Sequence, residues 1–415
     1  MSPSPLPFPQ EVIDKIVDDL EPEDDLPSLL NCSLISRSFL AASRRVIFNQ
    51  LTLGTDDDAR GLYATVSANP RLGSCIKRIT IQDSLFSIPD PEKGTKVGWI
   101  SREETLPLLL PLLVSLKFLA IKADDWHHDK LDWSTFPPRL AAALSQTFML
   151  PSLVKIEFVE LKNIPSEAVT SSRYLKGLSF WGARLLEFDN NSSGSLEIAQ
   201  PQVRSQLDFL NITNCALIIP TLIKSLDLSC LKMLRVGLTC AADFVGWPTL
   251  VDSISQSLEG LEIIDMYLPD EQFCIPHEIL DFRPFPNLQV FSLDIAYYVC
   301  ETAPHLDVLP ILLDQLRQIT SDSNLEEFRL RAEYGPPPND IHVVDDNWIG
   351  RFCRLPFWQE LDSILTHPRF SKLRRVAVLF EGTDDDELEP GLHELRKQIP
   401  GLVNKKIVFF EFIDE

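Results

Sequence analysis

The sequence predicts an α/β repeat fold: a small three-helix unit over residues 1–52, then, over 53–415, an irregular arc with a mostly parallel sheet on one face and helices on the other. Three observations carry that expectation. Apolar residues at Val12, Ile13, Ile16, Val17 and Leu20 recur with the period of a helix, about 3.6 residues per turn. Beyond residue 53 a short phrase, apolar-x-x-apolar-x-apolar, returns ten times. Between its occurrences lie segments with helical spacing, such as Leu306, Leu309, Leu312, Leu313 and Leu316. Strand and helix alternating around one phrase is what stacked repeats produce, because no single unit can bury its own apolar side.

The N-terminal elements follow from local chemistry. After the first helix an acidic break, Glu21-Pro22-Glu23-Asp24-Asp25, offers Asp24 or Asp25 as acceptor for the first backbone N–H groups of a second helix. That helix carries Leu26, Leu29, Leu30 and Leu34, with Pro27 tolerated in its first turn. Ser36 then caps a third helix, whose apolar residues are Phe39, Leu40, Val46, Ile47 and Phe48, with Arg37, Arg44 and Arg45 on the wetter side. Three short helices bury little surface, so they are expected to lean on a partner or on the rest of the chain.

At these residues the chain resembles a known motif. The run Phe8-Pro9-x-Glu11-Val12-Ile13-x-x-Ile16-Val17-x-x-Leu20, then Asp25-Leu26, then Cys32-Ser33-Leu34-Ile35-Ser36-Arg37-Ser38-Phe39, is similar to the F-box of fungal, basidiomycete-type F-box proteins. It departs from the commonest pattern at Phe8 for Leu, Ser36 for Cys and Phe39 for Trp. The resemblance implies docking on the Skp adaptor of a cullin-RING ubiquitin ligase, with Phe8, Pro9, Ile13, Ile16, Leu20, Leu26 and Phe39 making or supporting the contact. An amphipathic helical cap on a larger domain would show the same periodicity.

In each phrase the last two apolar residues alternate as they do in a strand. The middle residues are Ile79, Leu119, Ile156, Leu178, Leu210, Leu234, Leu261, Phe291, Phe328 and Val376, and a further strand over Lys406–Phe412 closes the chain. Gly54-Thr55-Asp56-Asp57-Asp58 reads as a turn that caps the next helix, and Tyr334-Gly335-Pro336-Pro337-Pro338-Asn339-Asp340 as an exposed loop. The phrase resembles a leucine-rich repeat. Trp358-x-x-Leu361-Asp362-x-x-Leu365, followed by Phe370-x-x-Leu373-x-x-Val376, is similar to the last repeat of many fungal F-box proteins. The steps are uneven, 22 residues from Leu153 to Leu175 and 48 from Leu325 to Leu373. The asparagine usual just beyond the phrase is also replaced, by residues such as Ala183, Thr239 and Glu381, so no asparagine ladder is expected.

Composition narrows the function classes. A formal net charge of -22 opposes nucleic-acid phosphates and anionic lipid, so neither nucleic acid nor membrane is an expected partner. Eight cysteines without a C-x-x-C pair suggest neither a zinc module nor a disulfide framework. Prolines at 3, 5, 7 and 9, then Glu11 and Asp14, do not make a secretory signal. The most apolar window, Leu106–Leu116, would span about 16 Å as a helix, half a bilayer core. No phosphate-binding loop, nucleophile elbow or His-Glu-x-x-His helix occurs, so neither catalysis nor a cofactor is expected. The densest group of metal-ligand types, Asp124-Asp125-Trp126-His127-His128-Asp129, reads as a solvated loop, because adjacent histidines usually point apart.

The expected function is therefore that of a substrate receptor, cytoplasmic or nuclear: the helices recruit the Skp adaptor and the repeats capture a protein for ubiquitination. An interaction scaffold independent of ubiquitination is the alternative, and a metal-dependent hydrolase using His127 or His128 a weaker one. Strand alternation places Trp181, Asn211, Arg235, Arg329 and Arg331 on the sheet face opposite the core, with Arg375 just before the last pair, as candidate substrate-binding residues. Arginines against so acidic a background point to an acidic or phosphorylated ligand. The same face carries Glu262, Asp294 and Glu327, which would neutralise them as a solvated ladder.

Overall fold

A computed structural model describes residues 8–21, 24–83, 88–89, 96–123, 131–186, 205–215, 218–238, 246–265, 280–298, 308–319, 322–335, 348–381 and 385–413. Among them are fourteen α-helices, and the chain divides into two compact units, Met1–Ser205 and Gln206–Glu415. In the first unit α1 (Gln10–Asp18), α2 (Leu26–Ile35) and α3 (Arg37–Ile47) precede five strands, Gln50–Leu53, Arg78–Asp83, Phe118–Ala123, Lys155–Val159 and Gly177–Trp181. These pair in chain order and every pairing is parallel. The second unit has seven strands, Phe209–Thr213, Met233–Leu238, Gly260–Asp265, Val290–Tyr298, Glu327–Gly335, Arg375–Glu381 and Val408–Ile413, again parallel and in chain order. Parallel neighbours need a crossover between them, and helices such as Pro138–Phe148 and Val308–Gln318 lie in those connections.

Register locks the phrase. Ile79 lies beside Leu119, Leu119 beside Ile156 and Ile156 beside Leu178. In the second unit Leu210, Leu234, Leu261, Phe291, Phe328 and Val376 align in the same way. Every apolar residue of the ten phrases is buried, none more than 7% exposed, because a period-two strand turns its alternate side chains to one face. Aromatic rings continue the stack, Phe158 against Phe180 at 5.7 Å and Phe291 against Phe328 at 5.8 Å.

Main-chain carbonyls join the repeats just before each strand. Lys77 O accepts the N–H groups of both Lys117 and Phe118, and Lys117 O those of Val154 and Lys155. In the second unit Lys232 O accepts from Glu259 and Gly260, and Glu326 O from Arg374 and Arg375. A carbonyl has two lone pairs, so one oxygen ties two successive donors of the next repeat.

Caps follow the sequence closely, with two corrections. Ser36 Oγ accepts the N–H of Phe39 at 3.3 Å, and Thr55 with Asp58 forms a capping box. Asp25 occupies the N-cap of α2, but its carboxylate turns back to accept the N–H of Glu21 at 3.2 Å instead of capping the helix. Tyr334 and Gly335, expected in a loop, instead end the Glu327–Gly335 strand, held by pairing with Tyr297 and Tyr298; Pro336–Asp340 lies outside the described residues. The apolar window at Leu106 forms a short helix, Leu106–Leu109, and one further turn, with Leu106, Leu109 and Leu110 buried. Among the described residues no helix is long and apolar enough to cross a membrane.

Candidate functional site

The three N-terminal helices close a core of their own. Ile13 and Val17 of α1, Leu29 of α2 and Ala42 of α3 are buried together, and Leu20, Phe39, Val46 and Ile47 pack against them. Arg45 ties α3 to α1, reaching Asp18 at 2.9 Å and Asp14 at 3.5 Å. The core takes up only part of the apolar surface. On α1, Val12 and Ile16 remain 40% and 44% exposed, four residues apart and so in one row along the helix, and Phe8, just ahead of the helix, is 50% exposed. On α2, Leu26, Leu30 and Leu34 form a second row, 42%, 51% and 83% exposed, with Ile35 beyond it. Apolar side chains left facing solvent in rows on α1 and α2 form the kind of surface that marks interaction sites.

The residues singled out in the sequence divide accordingly. Phe8, Pro9, Ile16 and Leu26 are at the surface, where a partner can touch them. Ile13 is fully buried, and Leu20 and Phe39 pack on the small core, so these three support the surface from behind. Val12, Leu30, Leu34 and Ile35 belong to it and were not among the expected contact residues. For Leu30 and Leu34 the signal lay in α2, where Leu26, Leu30 and Leu34 repeat every four residues on a line that excludes the buried Leu29.

On the sheet of the second unit, the face opposite the core is a charge ladder. Arg235 lies 3.5 Å from Glu262, its direct cross-strand neighbour. Arg329 donates to Glu327 at 2.8 Å. Arg331 donates to Glu381 and lies 3.6 Å from Asp294. Arg375 pairs with Glu411, lies 3.3 Å from Glu327 and stacks over Phe409. These arginines are thus neutralised, because register sets carboxylates beside Arg235, Arg331 and Arg375, and strand alternation sets Glu327 on the same face as Arg329 two residues on. Asp294 is only 9% exposed, and burial, aided by the nearby Glu262 carboxylate, pushes its pKa up to about 6 against the pull of Arg331 and Arg235. Trp181 is half-buried rather than exposed, and Asn211, 7% exposed, accepts a hydrogen bond from Thr213 at 2.8 Å. Neither offers a partner much surface.

The stretch Asp124–Asp129 lies outside the described residues. Among the described residues no group of three or more His, Cys, Asp and Glu side chains is placed to hold a metal ion. Cys353 is buried, which pushes its thiol up to about 12, far from the thiolate a nucleophile needs. No protein-family profile and no curated protein matches the chain.

Proposed function

We propose that this chain is a substrate-recognition subunit of a Skp/cullin/F-box-type ubiquitin ligase, in which α1, α2 and α3 dock on the Skp adaptor and the repeats capture a protein substrate. The carrying observation is the pair of exposed apolar rows, Val12/Ile16 and Leu26/Leu30/Leu34, with exposed Phe8 ahead of the first, on helices whose own core is already closed. The resemblance of Phe8–Phe39 to an F-box supplies the kind of partner. In this reading the chain catalyses nothing itself; it brings substrate and ligase together.

The test is co-purification of the full chain with a Skp adaptor. Truncating a buried interface anchor typically costs about 2 kcal/mol, so Ile16→Ala with Leu34→Ala should weaken the complex at least about tenfold while leaving the fold intact. Absence of a complex with the wild-type chain, or a double variant that binds as tightly, would refute the assignment. A stable complex with another protein through the same rows would instead favour a scaffold outside ubiquitination.

A further inference from the structure

The positions that open the strands differ in charge between the two units. In Gln206–Glu415 they are Asp208, Lys232, Glu259, Gln289, Glu326 and Arg374, where signs mix and pair: Lys232 lies 3.1 Å from Glu259 and Arg374 lies 3.6 Å from Glu326. In Met1–Ser205 the equivalent positions are Lys77, Lys117, Val154 and Lys176, followed one residue on by Arg78, Phe118, Lys155 and Gly177. No carboxylate stands among these eight. The carbonyl links from Lys77 to Lys117 and from Lys117 to Val154 hold them on adjacent strands, about 4.8 Å apart. The Arg78 guanidinium sits 4.5 Å from the centre of the nearly buried Phe118 ring, and Lys155 Nζ 5.5 Å from it, so one aromatic side chain holds two cations at this edge. Arg78 and Lys117 are exposed, and among the described residues neither has a carboxylate partner. Beside them Val114 and Val154 are 61% and 39% exposed.

We infer that this edge of the first unit's sheet docks an acidic peptide segment of a partner protein, with carboxylates on Arg78 and Lys117 and apolar side chains on Val114 and Val154. The inference stands independently of the adaptor reading. Its basis is charge complementarity against the trend of the molecule: a cationic row persists on a chain of net charge -22. That same net charge repels a long polyanion, whereas a short segment presents its charge only locally. The exposed valines fit a peptide's apolar side chains better than a sugar-phosphate backbone. An extended peptide rises about 3.3 Å per residue and turns alternate side chains to one side, so acidic side chains two residues apart, about 6.6 Å, can reach Arg78 and Lys117 on strands about 4.8 Å apart.

The experiment is fluorescence anisotropy on the full chain with a labelled short peptide of interspersed Glu and Leu, the same peptide with Gln for Glu, a single-stranded oligonucleotide, and phosphatidylserine vesicles. The Glu peptide is expected to bind and the Gln peptide not, with binding lost as salt rises to about 0.5 M. Arg78→Glu with Lys117→Glu should weaken it at least about tenfold, while Lys232→Glu, in the mixed row of the other unit, should not. If the reversed pair unfolds the chain, Arg78→Gln with Lys117→Gln provides the same reading. Equal binding of the Gln peptide, preference for oligonucleotide or vesicles, or indifference to both double variants would each overturn the inference.

Discussion

Asp294 is the residue at which charge, burial and pH meet. Its carboxyl rises from 3.8 to about 6 because folding strips it of water and sets it near Glu262. A carboxyl raised on folding favours the protonated native state, so its contribution to stability is full below pH about 3.8 and is lost as the pH climbs through about 6. Asparagine imitates the protonated form and leaves Arg331 its bond to Glu381. Asp294→Asn is therefore expected to stabilise the chain by about 1 to 3 kcal/mol at neutral pH and by little near pH 4, read from denaturant titrations at the two pH values. A variant less stable than wild type at neutral pH would show that the Arg331 pair outweighs desolvation. That Glu262, Asp294 and Arg331 lie on one face of the sheet was visible in the sequence. Their pairing was not, since it depends on which side chains register sets within a few ångströms.

At the scale of the helix, α2 separates structural from exposed leucines. Leu29 faces the small core at 0% exposure, while Leu30 and Leu34 face solvent. Leu29→Ala should cost about 2 to 5 kcal/mol, the usual range for a buried leucine, though the smallness of this core favours the lower end. Leu30→Lys with Leu34→Lys should change stability by no more than about 0.5 kcal/mol each while abolishing the proposed binding of a Skp adaptor. Thermal melts and a pull-down on the same preparations separate the two effects. A large loss of stability in the lysine pair would mean that the exposed row is packed against something in the free chain. Helical periodicity showed that α1 is amphipathic, but its apolar stripe is wider than its contact with the small core, and α2 is apolar nearly all round. Only packing decided that Ile13 and Val17 turn inward while Val12 and Ile16 stay out.

For the molecule as a whole, a net charge of -22 implies self-repulsion that weakens the compact state. Salt screens this repulsion. It also weakens exposed pairs such as Lys15–Asp19, at 80% and 67% side-chain exposure, but such pairs contribute little. The half-buried pairs around Arg331 are screened less. The melting temperature should therefore rise between low ionic strength and about 0.5 M sodium chloride, and a fall would show that paired charges matter more than net repulsion.

The strand pattern is legible along the chain alone: the phrase marks each sheet strand from Arg78–Asp83 to Arg375–Glu381, and its apolar residues are the core, since period-two alternation with one buried side leaves no other register. Local sequence also determined the caps at Ser36 and Thr55, where a side chain meets a donor three residues away. Tertiary structure alone decided the rest. Whether Arg235, Arg329, Arg331 and Arg375 form a basic patch depends on partners up to 50 residues distant, as with Arg331 and Glu381. The cations from Lys77 to Lys155 become one row only once parallel pairing brings residues some 40 positions apart onto neighbouring strands. Local pattern is written in neighbours along the chain; charge balance at a surface is written in neighbours across it.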